Sequence, residues 1–113
     1  MPGDLDRTLA ALAEPTRRGV IDLLRRRPHC ASEIADALST SRPAMSRHLR
    51  VLRQAGLVRE DALEDDARVR VYRLVREPFA ELRDWLDEVE AFWGDQLQAF
   101  KAHAERRARA RKS

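Results

Sequence analysis

The chain has 113 residues, long enough for one domain with a modest core, and its 36% charged and 5% aromatic residues favour helices over a β-sandwich. A single cysteine excludes an internal disulfide framework and fits a reducing cytoplasm, and neither a membrane-spanning apolar run nor a signal-peptide pattern is present. The net charge of +3 is uneven, because residues 17–59 and 101–113 are basic while residues 78–100 are acidic, which indicates a nucleic-acid face and a separate partner face.

Three short helices are predicted in the first third of the chain. The first covers residues 4–13. Its apolar side is formed by Leu5, Leu9 and Leu12. The second begins at Pro15, since proline disfavours helical geometry in the residue before it and suits a first helical position, and it runs to about Arg26. Ser32 is a suitable N-cap for the third helix, which ends near Leu38.

The fourth predicted helix is the most informative segment. It follows a short turn, spans about residues 42–55 and stops at Gly56, which supplies a left-handed C-terminal residue. It contains no acidic residue, and at helical spacing its polar arc lies opposite its apolar side. The polar arc is formed by Arg42, Ser46, Arg47, Arg50, Arg53 and Gln54. The apolar side is formed by Met45, Leu49 and Leu52.

The polar arc of this helix is interpreted as a DNA-reading surface. The residues near its N-terminal end, which are expected to reach base edges, are Arg42, Ser46 and Arg47. Arg50 and Arg53 lie further along and are expected on phosphates. A solvated amphipathic helix would also give this pattern, but the preceding turn and the following hairpin favour DNA contact. For His48, a bond to a backbone group and a phosphate contact both stay open.

A β-hairpin is predicted after the fourth helix, with strands over residues 57–61 and 69–75 and a loop longer than the tight two-residue kind. The tip carries the acidic residues Glu64, Asp65 and Asp66. Because phosphates repel carboxylates, the tip is expected to point away from DNA or to contribute little. The flanking arginines, which can still touch the DNA backbone, are Arg59, Arg68 and Arg70.

A long helix is predicted over residues 78–104, followed by a basic tail, residues 105–113, that is expected to be disordered. A narrow apolar stripe runs along this helix, with its members three or four residues apart. It is formed by Phe79, Leu82, Leu86, Val89, Trp93, Leu97 and Phe100. A helix of about 39 Å is longer than a domain this small can cover, so the stripe predicts contact with another subunit.

The order of these elements predicts a mainly α fold with a small β-hairpin, a winged helix-turn-helix of five helices and a two-stranded wing. Residues 1–104 are predicted to form one DNA-binding and dimerisation domain, and residues 105–113 the tail. No nucleophile motif or phosphate-binding glycine loop is present, so an enzyme is not expected. The alternatives to a sequence-specific DNA binder are a winged-helix protein-interaction module and a sequence-neutral DNA binder that relies on its tail.

Residues 41–58 read SRPAMSRHLRVLRQAGLV and resemble the ArsR/SmtB family of bacterial transcriptional repressors. Residues 9–18, which read LAALAEPTRR, look like that family's approach to its second helix. The resemblance implies a cytoplasmic homodimer of winged helix-turn-helix subunits that binds an operator palindrome in double-stranded DNA, with no membrane association. It also implies a dimer interface formed by the first and last helices.

The sequence and the resemblance together assign two sets of residues. The expected DNA-binding residues are Ser41, Arg42, Ser46, Arg47, His48, Arg50, Arg53, Arg68 and Arg70. The expected dimer-interface residues are Leu5, Leu9, Leu12, Leu82, Leu86, Val89, Trp93, Leu97 and Phe100.

The chain departs from the metal-sensing members of the family it resembles. Many of them hold metal through a cysteine pair at the start of the third helix, where this chain has Cys30 and then Ser32. His29 precedes Cys30, but a tetrahedral site needs at least three protein ligands, so Cys30 is expected to be a small unliganded core residue. At the family's other metal site, on the last helices, His103 is the only histidine beside several carboxylates. No metal and no cofactor are expected.

Overall fold

The computed structural model describes residues 3–112, which contain five α-helices and two β-strands. Along the chain these are α1 (Asp4–Leu12), α2 (Pro15–Leu24), α3 (Ala31–Ala37), α4 (Arg42–Gln54), β1 (Val58–Leu63), β2 (Asp66–Leu74) and α5 (Arg76–Lys112). This order confirms the predicted mainly α winged helix-turn-helix. The chain divides into two compact units between Glu81 and Leu82.

The core of the first unit lies where α2, α3 and α4 meet the start of the hairpin. On α4 the apolar residues recur at spacings of four and three, which puts them on one face, and all three are buried as predicted. The buried core residues are Ala11, Val20, Leu24, Ile34, Ala35, Met45, Leu49, Leu52, Leu57 and Val58. Phe79, in the first turn of α5, packs against this cluster.

The corner between α1 and α2 is held by side chains that satisfy helix ends. Glu14 is the N-cap of α2, and its carboxylate accepts a hydrogen bond of 3.0 Å from the backbone N–H of Arg17. The Arg17 Nε donates to the Ala11 carbonyl at 2.6 Å, and Arg18 donates to the Leu12 carbonyl at 2.9 Å. These carbonyls end α1 without a helical partner, so the two arginines cap it.

The two ends of α4 are fixed by local chemistry. The Ser41 hydroxyl accepts a hydrogen bond from the Ala44 N–H, which makes Ser41 the N-cap, and Pro43 lies in the first turn. Gly56 follows the helix with φ of +79°, and the Leu57 N–H then donates to the Leu52 carbonyl at 3.0 Å. The helix therefore begins and ends where the sequence indicates.

The hairpin of β1 and β2, here called the wing (residues 58–74), differs from the prediction. The strands are antiparallel, and the pairing of Leu63 with Asp66 leaves only Glu64 and Asp65 as the connection. The prediction of a longer loop is therefore wrong. An irregularity in register at residues 62–63 accommodates the tight turn, because it leaves extra residues of β2 unpaired. A bridge in which the Tyr72 N–H donates to the His29 carbonyl joins β2 to the segment before α3.

Several predicted helix limits are also corrected. Cys30, not Ser32, is the N-cap of α3, because the Glu33 carboxylate accepts a hydrogen bond from the Cys30 N–H. The last helix does not end near Ala104 but continues to Lys112, through residues with strong helix propensity. The division into residues 1–104 and 105–113 stays a prediction, and residues 1, 2 and 113 lie outside those described. None of the helices within residues 3–112 is long and apolar enough to cross a membrane.

Replacing Gly56 with alanine is expected to lower the free energy of unfolding by about 1–2 kcal/mol. A Cβ at this position would meet no atom within 4 Å, so the cost comes from the left-handed backbone alone. The matched control is Gly94→Ala in α5, which is expected to keep or increase stability, because alanine is the better helix former and the site is open. Urea unfolding followed by circular dichroism measures both, and a Gly56→Ala protein as stable as the unmodified chain would contradict the expectation.

Candidate nucleic-acid interface

The outward face of α4 is a positively charged surface. Arg42, Arg47 and Arg50 are exposed, and none of them makes an ion pair or side-chain hydrogen bond within residues 3–112. Ser46 is exposed on the same face, while Ser41 at the helix start uses its hydroxyl oxygen as the N-cap acceptor. The positive end of the helix dipole adds to the arginine charges at this end. The surface is therefore suited to an anionic ligand that is long and regular, such as a DNA backbone and groove.

Arg53, at the other end of α4, differs from these three arginines because it is paired. Its Nη1 donates to the Glu60 carboxylate at 3.0 Å, and the Nε of Arg70 lies 3.4 Å from the other oxygen of the same carboxylate. Glu60 on β1 therefore links α4 to β2. Burial raises the pKa of the Tyr72 hydroxyl, and the negative charge of Glu60 nearby raises it further. Arg53 and Arg70 were both expected on phosphates, and in the free chain both guanidinium groups share the single carboxylate of Glu60.

The remaining wing arginines also have carboxylate partners. Arg68 contacts Asp66 through its backbone N–H and its guanidinium, and these hydrogen bonds lower the pKa of Asp66. Arg59 and Arg73 lie 3.8 and 3.5 Å from the Asp61 carboxylate. These pairs are exposed and screened by solvent, so they matter less for stability than for charge. The wing is close to neutral in charge, whereas α4 is strongly positive.

The His48 ring nitrogen contacts two side chains and not a backbone group. The His48 side chain is largely buried, and its Nδ1 lies 3.4 Å from Arg17 Nη1 and 3.7 Å from the Glu14 carboxylate. Burial raises the pKa of Glu14, but hydrogen bonds from the Arg17 and Thr16 backbone and the charge of His48 outweigh it, and the net pKa is lowered. His48 thus connects α4 to the start of α2, and a phosphate contact for it stays a prediction.

The segment before α3 is arranged around backbone hydrogen bonds. His29 is buried with its Nδ1 2.8 Å from the Arg27 carbonyl, and Cys30 is half-buried at the helix start with its Sγ 3.2 Å from the Ser32 hydroxyl. The prediction that Cys30 is a core residue is therefore wrong, because it caps α3 instead. Within residues 3–112 no three histidine, cysteine or carboxylate side chains are grouped closely enough to hold a metal ion.

The residues predicted for a dimer interface differ in how far their side chains are exposed to solvent. In α1 the buried side is formed by Thr8 and Ala11, which leaves Leu9 exposed and Leu5 and Leu12 partly buried. In the second unit, residues 82–112, Leu82 and Val89 are partly buried. The exposed apolar residues there are Trp85, Leu86, Phe92, Trp93, Leu97 and Phe100. Apolar side chains are thus available on both helices, as a partner surface requires.

Glu60 is the residue that sequence reasoning missed. It lies opposite Tyr72 in the ladder, so Arg70 is its diagonal cross-strand neighbour, a position from which opposite charges pair. The strand register was the one signal from which the pairing of Glu60 with Arg70 could have been predicted. The register depends on a strand alignment that the predicted longer loop obscured.

The chain is similar in sequence and in structure to known transcriptional regulators. The family profile described as "Bacterial regulatory protein, arsR family" matches residues 14–60. The chain is 39% identical over 95 residues to the HTH-type transcriptional regulator Rv2034 of Mycobacterium tuberculosis, covering 84% of this chain and 83% of that protein. It is 35% identical over 54 residues to the transcriptional repressor SdpR of Bacillus subtilis, covering 48% of this chain and 60% of that repressor. The solved structure of an ArsR-like transcriptional regulator from Rhodococcus sp. RHA1 is 31% identical, covers 87% of this chain and 90% of its own, and superposes with a TM-score of 0.70.

Replacing Glu60 with glutamine is expected to strengthen DNA binding and to make it more sensitive to salt. The change frees two guanidinium groups, and each new phosphate contact adds about 0.9 to the slope of log affinity against log salt, so the slope is expected to steepen by up to about two. Fluorescence anisotropy with a labelled duplex at several NaCl concentrations measures this slope.

The matched control for that measurement is Glu64→Gln. It removes the same charge from the wing, but within residues 3–112 the Glu64 carboxylate has no arginine partner to release. A steeper slope in the Glu60 variant alone supports the assignment. Equal changes in both variants would contradict it, since charge removal would then account for the whole effect.

Proposed function

The chain belongs to the ArsR family of bacterial regulatory proteins, and on that premise we propose that it represses transcription as a homodimer bound to a palindromic operator. It is a DNA-binding transcriptional regulator and not an enzyme. The observation that carries the proposal is the outward face of α4, where Arg42, Arg47 and Arg50 are exposed and unpaired within residues 3–112. We place this activity in the cytoplasm, where bacterial DNA is located.

The residues of α4 divide by their distance from its N-terminal end. Arg42, Ser46 and Arg47 lie within the first two turns and enter the major groove, where an arginine can donate two hydrogen bonds to a guanine edge. Ser41 at the cap and Arg50 further along contact phosphates and set the register of the helix on the duplex. Two copies related by a twofold axis place their α4 helices in successive major grooves, about 34 Å apart.

The remaining predicted DNA contacts lie outside that central group. Arg53 and Arg70 share Glu60 in the free chain, so either reaches a phosphate only by exchanging that carboxylate for DNA. Arg68 is paired with Asp66 but its side chain is almost fully exposed, and it can reorient at little cost. We assign these three arginines, and His48, to phosphate contacts at the edge of the interface, where they add affinity without reading sequence.

Exposed apolar side chains support the proposed homodimer. The members of the predicted interface are Leu5, Leu9, Leu12, Leu82, Leu86, Val89, Trp93, Leu97 and Phe100. The exposed members of this set are Leu9 on α1 and Leu86, Trp93, Leu97 and Phe100 on α5. An exposed apolar stripe such as that of α5 marks a protein interface more often than a free monomer surface.

We propose further that metal does not control this regulator through α3. The Cys30 thiol faces the hydroxyl of Ser32 at 3.2 Å and not a second thiol, and a neutral hydroxyl is a poor ligand for thiophilic metals. The neighbouring His29 is buried with its Nδ1 next to the Arg27 carbonyl.

Replacing Arg47 with alanine is expected to weaken binding to a selected operator by about 1–3 kcal/mol and to relax base preference at one position of each half-site. Arg50→Ala is the matched variant, since it removes the same side chain from the same helix face but is expected to weaken operator and unrelated DNA alike. Footprinting with and without excess unrelated DNA separates the two effects. Unchanged operator affinity and base preference in the Arg47 variant would overturn its assignment.

Addition of one equivalent of Zn²⁺ or arsenite is expected to leave operator affinity unchanged, because the α3 segment offers one cysteine and no second sulfur ligand. Anisotropy titration of the protein–operator complex with each metal measures this. Metal-dependent release that disappears in a Cys30→Ser variant would refute the proposal of metal independence, while release that persists would point to ligands elsewhere.

A further inference from the structure

A cavity lies in the crease between α1 and α4, and we call it the α1–α4 cavity. Its volume is about 290 Å³, and residues of α1, α2 and α4 line it. None of its lining residues is among those assigned above to DNA or to the dimer interface. Small-molecule sites have volumes of about 300–1,000 Å³, so this cavity has the size of a site for a small ligand.

The walls of the cavity are two helix faces. The lining residues of α1 are Arg7, Ala10 and Ala11. Those at the C-terminal end of α4 are Val51, Gln54 and Ala55. Each set follows the spacing i, i+3 and i+4, which puts side chains on one side of a helix. Because both helices contribute alanine, whose side chain is a single methyl group, the space between them is not filled by the protein.

The inner surface of the cavity is largely apolar. Ala11 belongs to the buried core, whereas Val51 is 37% exposed although it lies in the middle of α4. The methyl groups of Ala10 and Ala55 lie on the same surface. A ligand with an apolar part that covers these side chains removes apolar surface from water, which favours binding.

Two arginines of the cavity have donors available for a ligand. The nearest acid to Arg7 is Asp4, at 3.9 Å in an exposed pair, and the Arg7 guanidinium makes no side-chain hydrogen bond within residues 3–112. Arg17 is held in place, because its Nε donates to the Ala11 carbonyl at 2.6 Å and its Nη2 to the Ala10 carbonyl at 3.4 Å. A guanidinium group has more N–H donors than these contacts use.

The charge of the cavity selects an anion. Its polar side chains are the two guanidinium groups and the Gln54 amide, and no carboxylate lines it. The adjoining cavity shares Arg7, Gln54 and Ala55 with it but is also lined by acids. These acids are Asp4, Glu77 and Glu81. A negative group is therefore attracted to the part of the crease near Arg17 and repelled from the part beyond Arg7.

We propose that the α1–α4 cavity binds a small monocarboxylic acid. The carboxylate accepts hydrogen bonds from Arg7 and Arg17, a pairing for which the planar guanidinium group is well suited. The apolar part of the acid lies on Ala10, Val51 and Ala55. The cavity volume suits an acid with a medium-length alkyl chain or a single aromatic ring, such as octanoate or phenylacetate.

Occupancy of the cavity weakens operator binding, and this part of the inference rests on the proposed function. The carboxylate adds a negative charge beside α4, the helix whose arginines are assigned to DNA. It also engages Arg17, whose Nη1 lies 3.4 Å from His48 on α4. An effector shifts an equilibrium only if it binds the two states unequally, and the added charge makes the DNA-free state the one that the acid prefers.

Titration of the full chain without DNA tests the site itself. Octanoate and phenylacetate are the probes, and octanamide and octan-1-amine are the neutral and cationic controls. In methyl NMR spectra we expect both acids to shift the signals of Ala10, Val51 and Ala55, and both controls to bind at least about ten-fold more weakly, because they lack the charged hydrogen bonds. Equal binding of the controls, or no shift with either acid, would overturn the proposal.

Two variants change the cavity in different ways. Arg7→Gln removes a partner of the carboxylate, and Ala10→Leu fills the apolar part. Each is expected to weaken octanoate binding at least about ten-fold. Both positions are exposed, so thermal unfolding followed by circular dichroism is expected to change little.

The matched control is Arg26→Gln, which removes the same charge from an exposed arginine that does not line the cavity. It is expected to keep the octanoate affinity of the unmodified chain. Unchanged affinity in the Arg7 and Ala10 variants would overturn the proposal. An equal loss in the Arg7 and Arg26 variants would overturn it as well, since net charge would then explain the binding.

The exposed apolar side chains of α5 are another surface to which an acid with an apolar chain can bind. Binding there would shift the indole signals of Trp85 and Trp93 and would persist in the Arg7→Gln and Ala10→Leu variants. That combination would overturn the assignment of the acid to the α1–α4 cavity.

Addition of saturating octanoate to the protein–operator complex tests the effect on DNA binding. Fluorescence anisotropy is expected to show a loss of operator affinity of at least about five-fold, and octanoate is expected to bind the complex more weakly by the same factor. Unchanged operator affinity with the acid bound would overturn the effector role.

The two sets of measurements separate this inference from the proposed function. An intact operator footprint in a protein that binds neither acid would overturn the inference alone. Acid binding at the cavity in a protein that gives no operator footprint would support the site and overturn the proposed operator binding.

Discussion

The burial of one side of α4 is the interaction on which the rest of the structure depends. Met45, Leu49 and Leu52 are almost completely inaccessible and pack with residues of α2 and α3. Each contributes about 1.5–3 kcal/mol of burial, so the helix is fixed in rotation about its own axis. Fixing that rotation is what gives the arginines on the opposite side a defined direction, and binding then needs little further ordering.

The α4 helix and the wing differ in how far acidic residues offset their positive charges. No acid lies on α4, whereas the wing arginines are each matched by a carboxylate, and Glu60 extends that matching to Arg53 at the end of α4. Positive potential is thereby concentrated at the N-terminal end of α4, where the helix dipole has the same sign. His48, in the middle of α4, holds this helix to the start of α2 through its contacts with Glu14 and Arg17.

The long α5 helix differs from α4, because no residue in the described part of the second unit covers its apolar stripe. The separation of acidic and basic residues along this helix costs local stability, since like charges lie close together within each part. Such an arrangement is favourable when a second helix brings the opposite charges.

The sequence by itself determined the order of the elements, the two ends of α4 and its buried and exposed sides, because spacing, Ser41, Pro43 and Gly56 act locally. It failed at the tight turn of Glu64 and Asp65, where the irregular strand register decides the loop length, and at the helix start of Cys30, whose N–H donates to the Glu33 carboxylate. Only the tertiary structure decided which arginines are free, because Glu60 and Arg53 meet through folding and not through neighbourhood in the chain. It also decided the place of His48, whose partners Glu14 and Arg17 lie about thirty residues earlier.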